Sequence, residues 1–281
     1  MIEQFHDIPA GRVHTIEWHD APADAPWLHF AHATGMHAGV YSATLALLAD
    51  RFHIVASDAR GHGQTLLPAD PAKLRSWSTY ADDLAALLDA IGPHDWWLAG
   101  HSMGATVSAS VAARRQDSAA LVLIEPAFVP FGAPNGWRDG RNPMAEQAER
   151  RRAVWPSTTA MADAYRGRGV FARWDETSLA AYIAGGTRPR ADGEIELACT
   201  PAWEAATFRA VTDDLAPTVA AWGRPLALLR GTAGSTVGAA DAATMLASCP
   251  GSIERRIDGG GHFIPVEQPA LLDEIITAMS R

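Results

Sequence analysis

The 281-residue sequence has few cysteines and a single lysine, and each scarcity excludes a class of protein. Cys199 and Cys249 are too few for a four-cysteine zinc site and do not suggest a disulfide-rich secreted scaffold. Lys73 is the one lysine among 23 basic residues, which 32 acidic residues outnumber to give a formal charge of −9. An acidic chain without a basic stripe argues against nucleic acid or an anionic membrane surface as a partner.

Long apolar runs and a secretory signal are missing as well. No run approaches the roughly 18 consecutive apolar residues of a membrane-spanning helix. Residues 1–6 have neither the positive region nor the apolar core of a signal peptide. The apolar fraction is nevertheless 48%, which allows a large hydrophobic core. We therefore expect a soluble, cytoplasmic protein, and the sequence does not indicate its oligomeric state.

Segments with strand character alternate with helical segments along most of the chain. This alternation predicts an α/β fold, a mostly parallel sheet with helices on both faces. The predicted strands are 12–18, 27–31, 52–56, 96–99, 121–124, 226–229 and 253–257, and the predicted core helices are 40–50, 78–91, 103–115, 239–247 and 265–279.

The alternation stops between residues 127 and 217. This stretch is irregular and dense in Gly, Pro, Arg and Trp, with helices predicted at 143–154, 157–165, 177–184 and 201–210. A plain loop of this length is uncommon in a compact domain, and the tryptophans need burial. We therefore predict an inserted helical cap at 127–217 between two parts of one α/β core, 1–126 and 218–281.

Residues 100–104 read Gly-His-Ser-Met-Gly, a G-x-S-x-G pattern between a predicted strand and a predicted helix. A serine in such a sharp turn adopts a strained backbone, and side chains at positions 100 and 104 would collide where strand and helix meet. Glycine removes that collision. The N–H groups that begin the helix favour a developing negative charge. The pattern predicts that Ser102 is a nucleophile, and the alternative is an ordinary glycine-rich turn.

A candidate base for this serine lies near the end of the chain. His262 is the one histidine after Ser102, and it follows three glycines at 259–261. This glycine run separates a predicted strand from the last predicted helix, so the backbone there can swing an imidazole over the edge of the sheet. The alternative is a histidine in a surface loop.

With these motifs the sequence resembles the α/β-hydrolase family over most of its length. The matching segments are His-Ala-Thr-Gly at 32–35, Asp-Ala-Arg-Gly-His-Gly at 58–63, the pattern at 100–104 and Gly-Gly-His-Phe at 260–263. The resemblance implies that Ser102 is the nucleophile and His262 the base, with the backbone N–H groups of Thr34 and Met103 as the oxyanion hole. It also implies that four further residues hold loops rather than react: His32, Arg60, His62 and His101.

The sequence departs from the family pattern at the triad acid. Most members carry an aspartate shortly after the seventh strand, but residues 230–237 contain no carboxylate and the next one is Asp241. Glu125 follows the predicted strand 121–124, which corresponds to the sixth strand of the family. Zearalenone-type lactone hydrolases and some haloalkane dehalogenases look similar in using a carboxylate after that strand. Glu125 is therefore the favoured acid and Asp241 the alternative, while Asp213, Asp214 or no acid at all remain open.

A serine nucleophile argues against the dehalogenase and epoxide-hydrolase chemistry of this family, which uses aspartate. The sequence lacks a P-loop, an H-E-x-x-H pair and a dinucleotide-binding G-x-G-x-x-G, so we expect neither a metal nor a cofactor. It predicts a serine hydrolase acting on a small carboxylic ester, lactone or thioester through an acyl-enzyme. A C–C bond hydrolase or lyase on the same scaffold and a non-catalytic ligand-binding protein are the alternatives.

Overall fold

The computed structural model describes residues 1–128, 142–210 and 215–279. Its centre is an eight-stranded sheet in the order β1-β2-β4-β3-β5-β6-β10-β11, and a small three-stranded sheet has the order β7-β9-β8. The strands are β1 (Ile2–Ile8), β2 (Gly11–Trp18), β3 (Trp27–Ala31), β4 (His53–Ser57), β5 (Trp96–His101), β6 (Ser118–Ile124), β7 (Val154–Trp155), β8 (Thr187–Pro189), β9 (Ile195–Leu197), β10 (Ala227–Gly231) and β11 (Ile253–Ile257).

Pairing in the large sheet is parallel from β4 to β11, and only β1 with β2 and β2 with β4 are antiparallel. The helices are α1 (Ser42–Ala46), α2 (Ser78–Ile91), α3 (Met103–Ala112), α4 (Pro143–Glu149), α5 (Thr158–Tyr165), α6 (Glu176–Gly186), α7 (Pro201–Arg209), α8 (Leu215–Trp222), α9 (Ala239–Ser248), α10 (Ile264–Glu267) and α11 (Ala270–Met279). Within the described part of the chain, none of them combines the length and the apolar character that crossing a membrane requires.

The hydrophobic core has two layers, one on each face of the large sheet. Successive residues of β6 show this division, because Leu121 and Leu123 pack in one layer and Val122 and Ile124 in the other. The first layer contains side chains of α2, α3, α8 and α9, and the second contains side chains of α1 and α11. A strand buried on both faces has a continuous apolar sequence, as β6 does. The predicted sheet with helices on both faces is thereby confirmed.

The segment 142–210 lies between β6 and α8 in the chain and contains α4 to α7 with the small sheet. It contacts the core through two of its helices, among other places: α6 packs on the turn Ala38–Tyr41, and α7 contacts Pro71–Lys73 and the loop after β4. In the second contact the Trp203 indole N–H donates to the Arg60 carbonyl at 2.9 Å. The predicted boundary at residue 217 falls inside α8, and the covering role of the predicted cap stays a prediction.

Several predicted elements differ from the observed ones for physical reasons. The pattern missed β1, whose side chains are mostly exposed and carry little apolar periodicity. The predicted helix 40–50 is a 3₁₀ turn at Ala38–Tyr41 followed by the short α1. The predicted helix 265–279 is divided into α10 and α11 at Pro269, because proline has no N–H to continue a helix.

Candidate active site

The carboxyl end of β5 turns into α3 with Ser102 as the single residue between them. Its φ of 56° and ψ of −120° place a non-glycine residue in a region that only close surrounding packing maintains. A Cβ at Gly100 would lie 2.4 Å from the backbone of Gly104, and a Cβ at Gly104 would lie 2.1 Å from the Ala31 carbonyl oxygen. The two glycines therefore allow β3, β5 and α3 to approach one another, and this approach fixes the serine at the sheet edge.

His262 lies in the loop between β11 and α10, and its side chain is 19% exposed. The Nδ1 atom of its ring is 3.2 Å from Oε2 of Glu125, the residue that follows β6. An imidazole whose Nδ1–H donates to a carboxylate presents the lone pair of Nε2 on its other side. The structure thus pairs the late-chain histidine with a buried carboxylate.

The Glu125 side chain is fully buried, and donors from the loop after β10 surround its carboxylate. Oε1 accepts from the Gly231 N–H at 2.6 Å and from the Ser235 hydroxyl at 2.7 Å, and Oε2 accepts from the Thr236 N–H at 2.9 Å. Burial opposes ionisation of this carboxyl, but the bonds from His262 and from these donors outweigh it and hold the pKa of Glu125 below its ordinary value. The carboxylate is therefore charged at neutral pH.

The position of Glu125 separates the acid candidates that the sequence left open. The stretch 230–237, which contains no carboxylate, supplies the donors that hold the carboxylate of Glu125. Asp241 lies in the first turn of α9. Asp213 and Asp214 lie outside the described residues. Among the candidates within the described ranges, Glu125 is the carboxylate bonded to His262, and its role as the triad acid stays a prediction.

The two proposed oxyanion donors come from different elements that end at the same sheet edge. Met103 is the first residue of α3, and the ladder of this helix starts at the Ser102 carbonyl, which accepts from the Ala105 and Thr106 N–H groups and also from the Ala127 N–H. The Met103 N–H therefore lies outside the hydrogen-bond ladder of the helix. Thr34 lies in the loop directly after β3 and is 8% exposed. An oxyanion hole made by these two N–H groups remains the prediction of the sequence.

Buried histidines tie the loop after β3 to the loop after β4. His32 accepts from the Ala59 N–H at 2.9 Å, and His62 accepts from the Gly35 N–H at 3.1 Å. Burial lowers the pKa of His32 to about 4 and that of His62 to about 3, so both rings are neutral and each retains the lone pair that accepts. The contacts fit the loop-holding role that the resemblance implied for these residues.

Arg60 connects the loop after β4 to a helix. Its guanidinium donates two hydrogen bonds to Asp83 of α2, at 2.8 and 2.6 Å, and a third to the Pro68 carbonyl. A bidentate pair of this kind fixes orientation as well as distance. Arg60 therefore connects the loop after β4 to α2.

Sequence reasoning missed the role of Asp58, the buried carboxylate at the start of the loop after β4. It accepts from the Ala38 N–H and the Gln64 N–H, each at 2.8 Å, and its Oδ2 lies 2.8 Å from Nδ1 of His14. Burial raises the pKa of Asp58, but the hydrogen bond with His14 and the nearby imidazoles of His37 and His32 outweigh it and hold this pKa at about 2. The motif at 58–63 contained this residue, but nothing in the sequence showed which backbone N–H groups it would serve.

An ion pair from the segment 142–210 lies against the loop that carries Thr34. Arg151 pairs with Glu204, and the same guanidinium donates to the Tyr182 hydroxyl at 2.7 Å. A Cβ at Gly35 would lie 2.6 Å from Oε1 of Glu204. The ion pair is thus in direct contact with the residue after Thr34, and no motif in the sequence indicated it.

An aromatic contact links the same segment to the histidine loop. The ring of Phe263 lies 5.2 Å from that of His262 and 5.7 Å from that of Trp174, centroid to centroid.

Within the described ranges, no group of three or more His, Cys, Asp and Glu side chains is arranged to hold a metal ion. The groups brought together here are suited to nucleophilic and acid–base chemistry.

We predict that Gly104→Ala destabilises the protein. The new methyl group would overlap the Ala31 carbonyl, and because backbone must move, the free energy of unfolding should fall by about 2–4 kcal/mol. Urea unfolding measures this loss. Gly186→Ala is the matched control, since a Cβ at the end of α6 would meet its nearest neighbour at an ordinary 3.4 Å. Equal stability of the two variants would contradict the close approach of α3 and β3.

We also predict that Glu125→Gln lowers the free energy of unfolding by about 1–3 kcal/mol at neutral pH, because an amide cannot accept all the bonds of the carboxylate. The pKa of Glu125 is lowered in the folded protein, so its contribution is present above the unfolded pKa of about 4.3 and is lost as the pH falls through the folded pKa. The difference between wild type and variant should therefore shrink toward acid.

Urea unfolding at stepped pH values from about 7 to about 3 tests this dependence. Asp241→Asn is the control, and its effect at neutral pH should stay within about 1 kcal/mol, the scale of a helix-terminal carboxylate. A Glu125→Gln difference that grows toward acid would contradict an ionised Glu125.

Comparisons with known proteins identify the family. A family model described as the alpha/beta hydrolase fold matches residues 26–269. The chain is 27% identical over 256 residues to 2-(acetamidomethylene)succinate hydrolase of Mesorhizobium japonicum, covering 90% of this chain and 87% of that protein. It is 25% identical over 137 residues to 3-oxoadipate enol-lactonase 2 of Acinetobacter baylyi, covering 46% and 50% of the two chains.

Solved structures agree with the family match. The structure of E-2-(acetamidomethylene)succinate hydrolase superposes with a TM-score of 0.84 at 24% identity, covering 99% of this chain and 98% of the other. At that identity the likeness speaks for the fold. The family model, which spans most of the sequence, confirms the resemblance drawn from the motifs. The chain belongs to the α/β-hydrolase fold family.

Proposed function

We propose that the chain is a serine hydrolase that cleaves a carboxylic ester, lactone or thioester through an acyl-enzyme on Ser102. The observation that carries this proposal is the 3.2 Å contact between His262 Nδ1 and the buried Glu125 carboxylate. This pair belongs to loops at the same sheet edge as the strained serine. A nucleophile, a base and a group that orients the base are the parts that acyl transfer requires.

In the first half of the reaction, Ser102 Oγ attacks the acyl carbon while His262 Nε2 takes the hydroxyl proton. The carbonyl oxygen becomes an oxyanion between the N–H groups of Thr34 and Met103, where the start of α3 adds its positive dipole end. The imidazolium that forms is stabilised by the charged carboxylate of Glu125. The imidazolium of His262 then gives its proton to the leaving oxygen or sulfur. The bond from the acyl carbon to the leaving group breaks, and an alcohol or thiol departs.

In the second half, a water molecule attacks the acyl carbon of the ester on Ser102. His262 takes a proton from this water, the oxyanion forms again, and the bond from the acyl carbon to Ser102 Oγ breaks. The imidazolium returns its proton to the serine, and a carboxylic acid is released. For a lactone the alcohol and the acid belong to one product, a hydroxy acid.

The electrostatics of the pair support these roles. Glu125 is charged because its donors and His262 hold its pKa low, so it stabilises an imidazolium at the moment the proton arrives. The carboxylate also fixes the tautomer that leaves Nε2 free to accept.

The similarity to an enol-lactonase adds support for a lactone-type substrate. We propose a small-molecule substrate, a cytoplasmic location and no cofactor.

A second candidate is hydrolysis of a C–C bond, or a lyase reaction, on the same scaffold. The similarity to 2-(acetamidomethylene)succinate hydrolase, whose named substrate is a substituted succinate rather than a simple ester, favours it. The polar cluster of Arg151, Glu204 and Tyr182 beside the Thr34 loop also favours it, since such chemistry needs polar groups beyond the triad. Both candidates use the same serine and histidine.

We predict that Ser102→Ala lowers kcat on p-nitrophenyl acetate by about 10⁴- to 10⁶-fold, because it removes the atom that carries the acyl group. A fluorophosphonate probe should label wild type at Ser102, as peptide mass spectrometry will show, and should not label the variant. Ser108→Ala is the matched control. Ser108 is buried like Ser102, but it lies within α3, and its hydroxyl is already bonded to the Ala99 carbonyl. The control should keep both turnover and labelling.

The outcomes separate the candidates. Near-normal turnover by Ser102→Ala would contradict the nucleophile, and a wild type that neither labels nor turns over any ester would favour a ligand-binding protein. A panel of short esters, long esters, lactones, thioesters and β-diketones then distinguishes acyl transfer from C–C cleavage. Release of a ketone from the diketones together with very slow ester turnover would favour the second candidate.

A further inference from the structure

A chain of buried hydrogen bonds passes through His101, the residue before the proposed nucleophile. Nδ1 of His101 is 2.7 Å from the Tyr41 hydroxyl, and Nε2 is 2.8 Å from the carbonyl oxygen of His262. The Tyr41 oxygen in turn lies 3.3 Å from the Ala33 N–H, which donates to it. Tyr41 and His101 are fully buried. We call this chain of three bonds the His101 relay.

The direction of every bond in the His101 relay follows from its ends. A carbonyl oxygen can only accept, so Nε2 of His101 carries the proton that bonds to His262. Burial and the neighbouring His262 keep the pKa of His101 well below its ordinary value, so the ring is neutral and Nδ1 has a lone pair. Burial raises the pKa of Tyr41, whose hydroxyl therefore keeps its proton and donates it to that lone pair.

The His101 relay connects the three loops that the proposed reaction uses. Ala33 precedes the oxyanion donor Thr34, His101 precedes Ser102, and His262 is the base. We propose that Tyr41 and His101 are positioning residues that set the placement of these loops relative to one another. This inference rests on the proposed function. It adds Tyr41, and it names the bonds through which His101 would perform the loop-holding role that the resemblance implied; neither residue is given contact with the substrate or the reacting atoms.

The physical basis of the positioning is that both ring nitrogens of His101 are bonded. The carbonyl of His262 keeps the proton on Nε2, so the buried lone pair of Nδ1 needs a donor, and the Tyr41 hydroxyl supplies it. Without that hydroxyl, the lone pair of Nδ1 and the Ala33 N–H would both lose their partner. The imidazole and the loop after β3 would shift toward other partners, and the placement of the catalytic loops relative to one another would change.

A separate tie keeps the same two regions together when the relay is broken. The hydroxyl of Thr44 in α1 donates to the carbonyl of Pro265 in α10. Because this bond joins the segment after Tyr41 to the segment after His262, the fold should survive loss of the relay. The damage should therefore appear in catalysis more than in folding.

The first test compares Tyr41→Phe with Tyr80→Phe, a matched control that removes another buried tyrosine hydroxyl, bonded to Thr207 at 2.6 Å outside the site. Tyr41→Phe should lower kcat by about 10- to 100-fold, the scale of a misplacement of about 1 Å, with KM changed by less than about threefold. The labelling rate of Ser102 by the fluorophosphonate should fall in parallel. Tyr80→Phe should keep both rates within about twofold for a similar loss in thermal midpoint.

The second test uses rescue at His101. Glutamine has one amide oxygen that can accept from Tyr41 and an amide N–H that can donate to the His262 carbonyl, whereas leucine has neither. His101→Gln should therefore retain at least about ten times the kcat of His101→Leu. Equal activity of the two variants, or a Tyr41→Phe enzyme with wild-type kcat and labelling, would overturn the positioning role while leaving the hydrolase intact. A wild type that neither labels nor hydrolyses any ester would overturn the proposed function, and the positioning role would fall with it.

Discussion

The buried carboxylate of Glu125 is the feature on which the rest of the site depends. A charge without solvent is costly unless it is fully bonded, and this one is bonded by donors from Gly231, Ser235 and Thr236 and by the ring of His262. The demand for those donors fixes the course of the loop after β10. It also fixes the orientation of the imidazole, so that one buried charge organises two loops at the edge of the sheet.

The sequence revealed the parts of the site that depend on local geometry. The glycines at 100 and 104 are required by contacts of 2.4 and 2.1 Å that a Cβ would make, and this requirement is visible as a motif. His262 stood out because no other histidine follows Ser102. The alternation of strands and helices predicted the sheet with helices on both faces, because parallel strands buried on both faces are apolar throughout.

The parts that the sequence left open depend on contacts between distant residues. Glu125 and Asp241 were both candidates, since sequence cannot show that hydroxyls and N–H groups after β10 converge on the carboxylate after β6. Tyr41 belongs to no motif, and its bond to His101 joins residues far apart in the chain. The small sheet β7-β9-β8 has strands too short to produce a periodic pattern.

A crystal structure of the protein with a phosphonate bound covalently to Ser102 tests the proposed site most directly. We predict that the phosphonyl oxygen lies within hydrogen-bond distance of the N–H groups of Thr34 and Met103. The His262 ring should bond to Glu125 on one side and face the serine oxygen on the other. An imidazole turned to a different carboxylate, or a phosphonyl oxygen bound away from both N–H groups, would contradict the proposed triad and oxyanion hole.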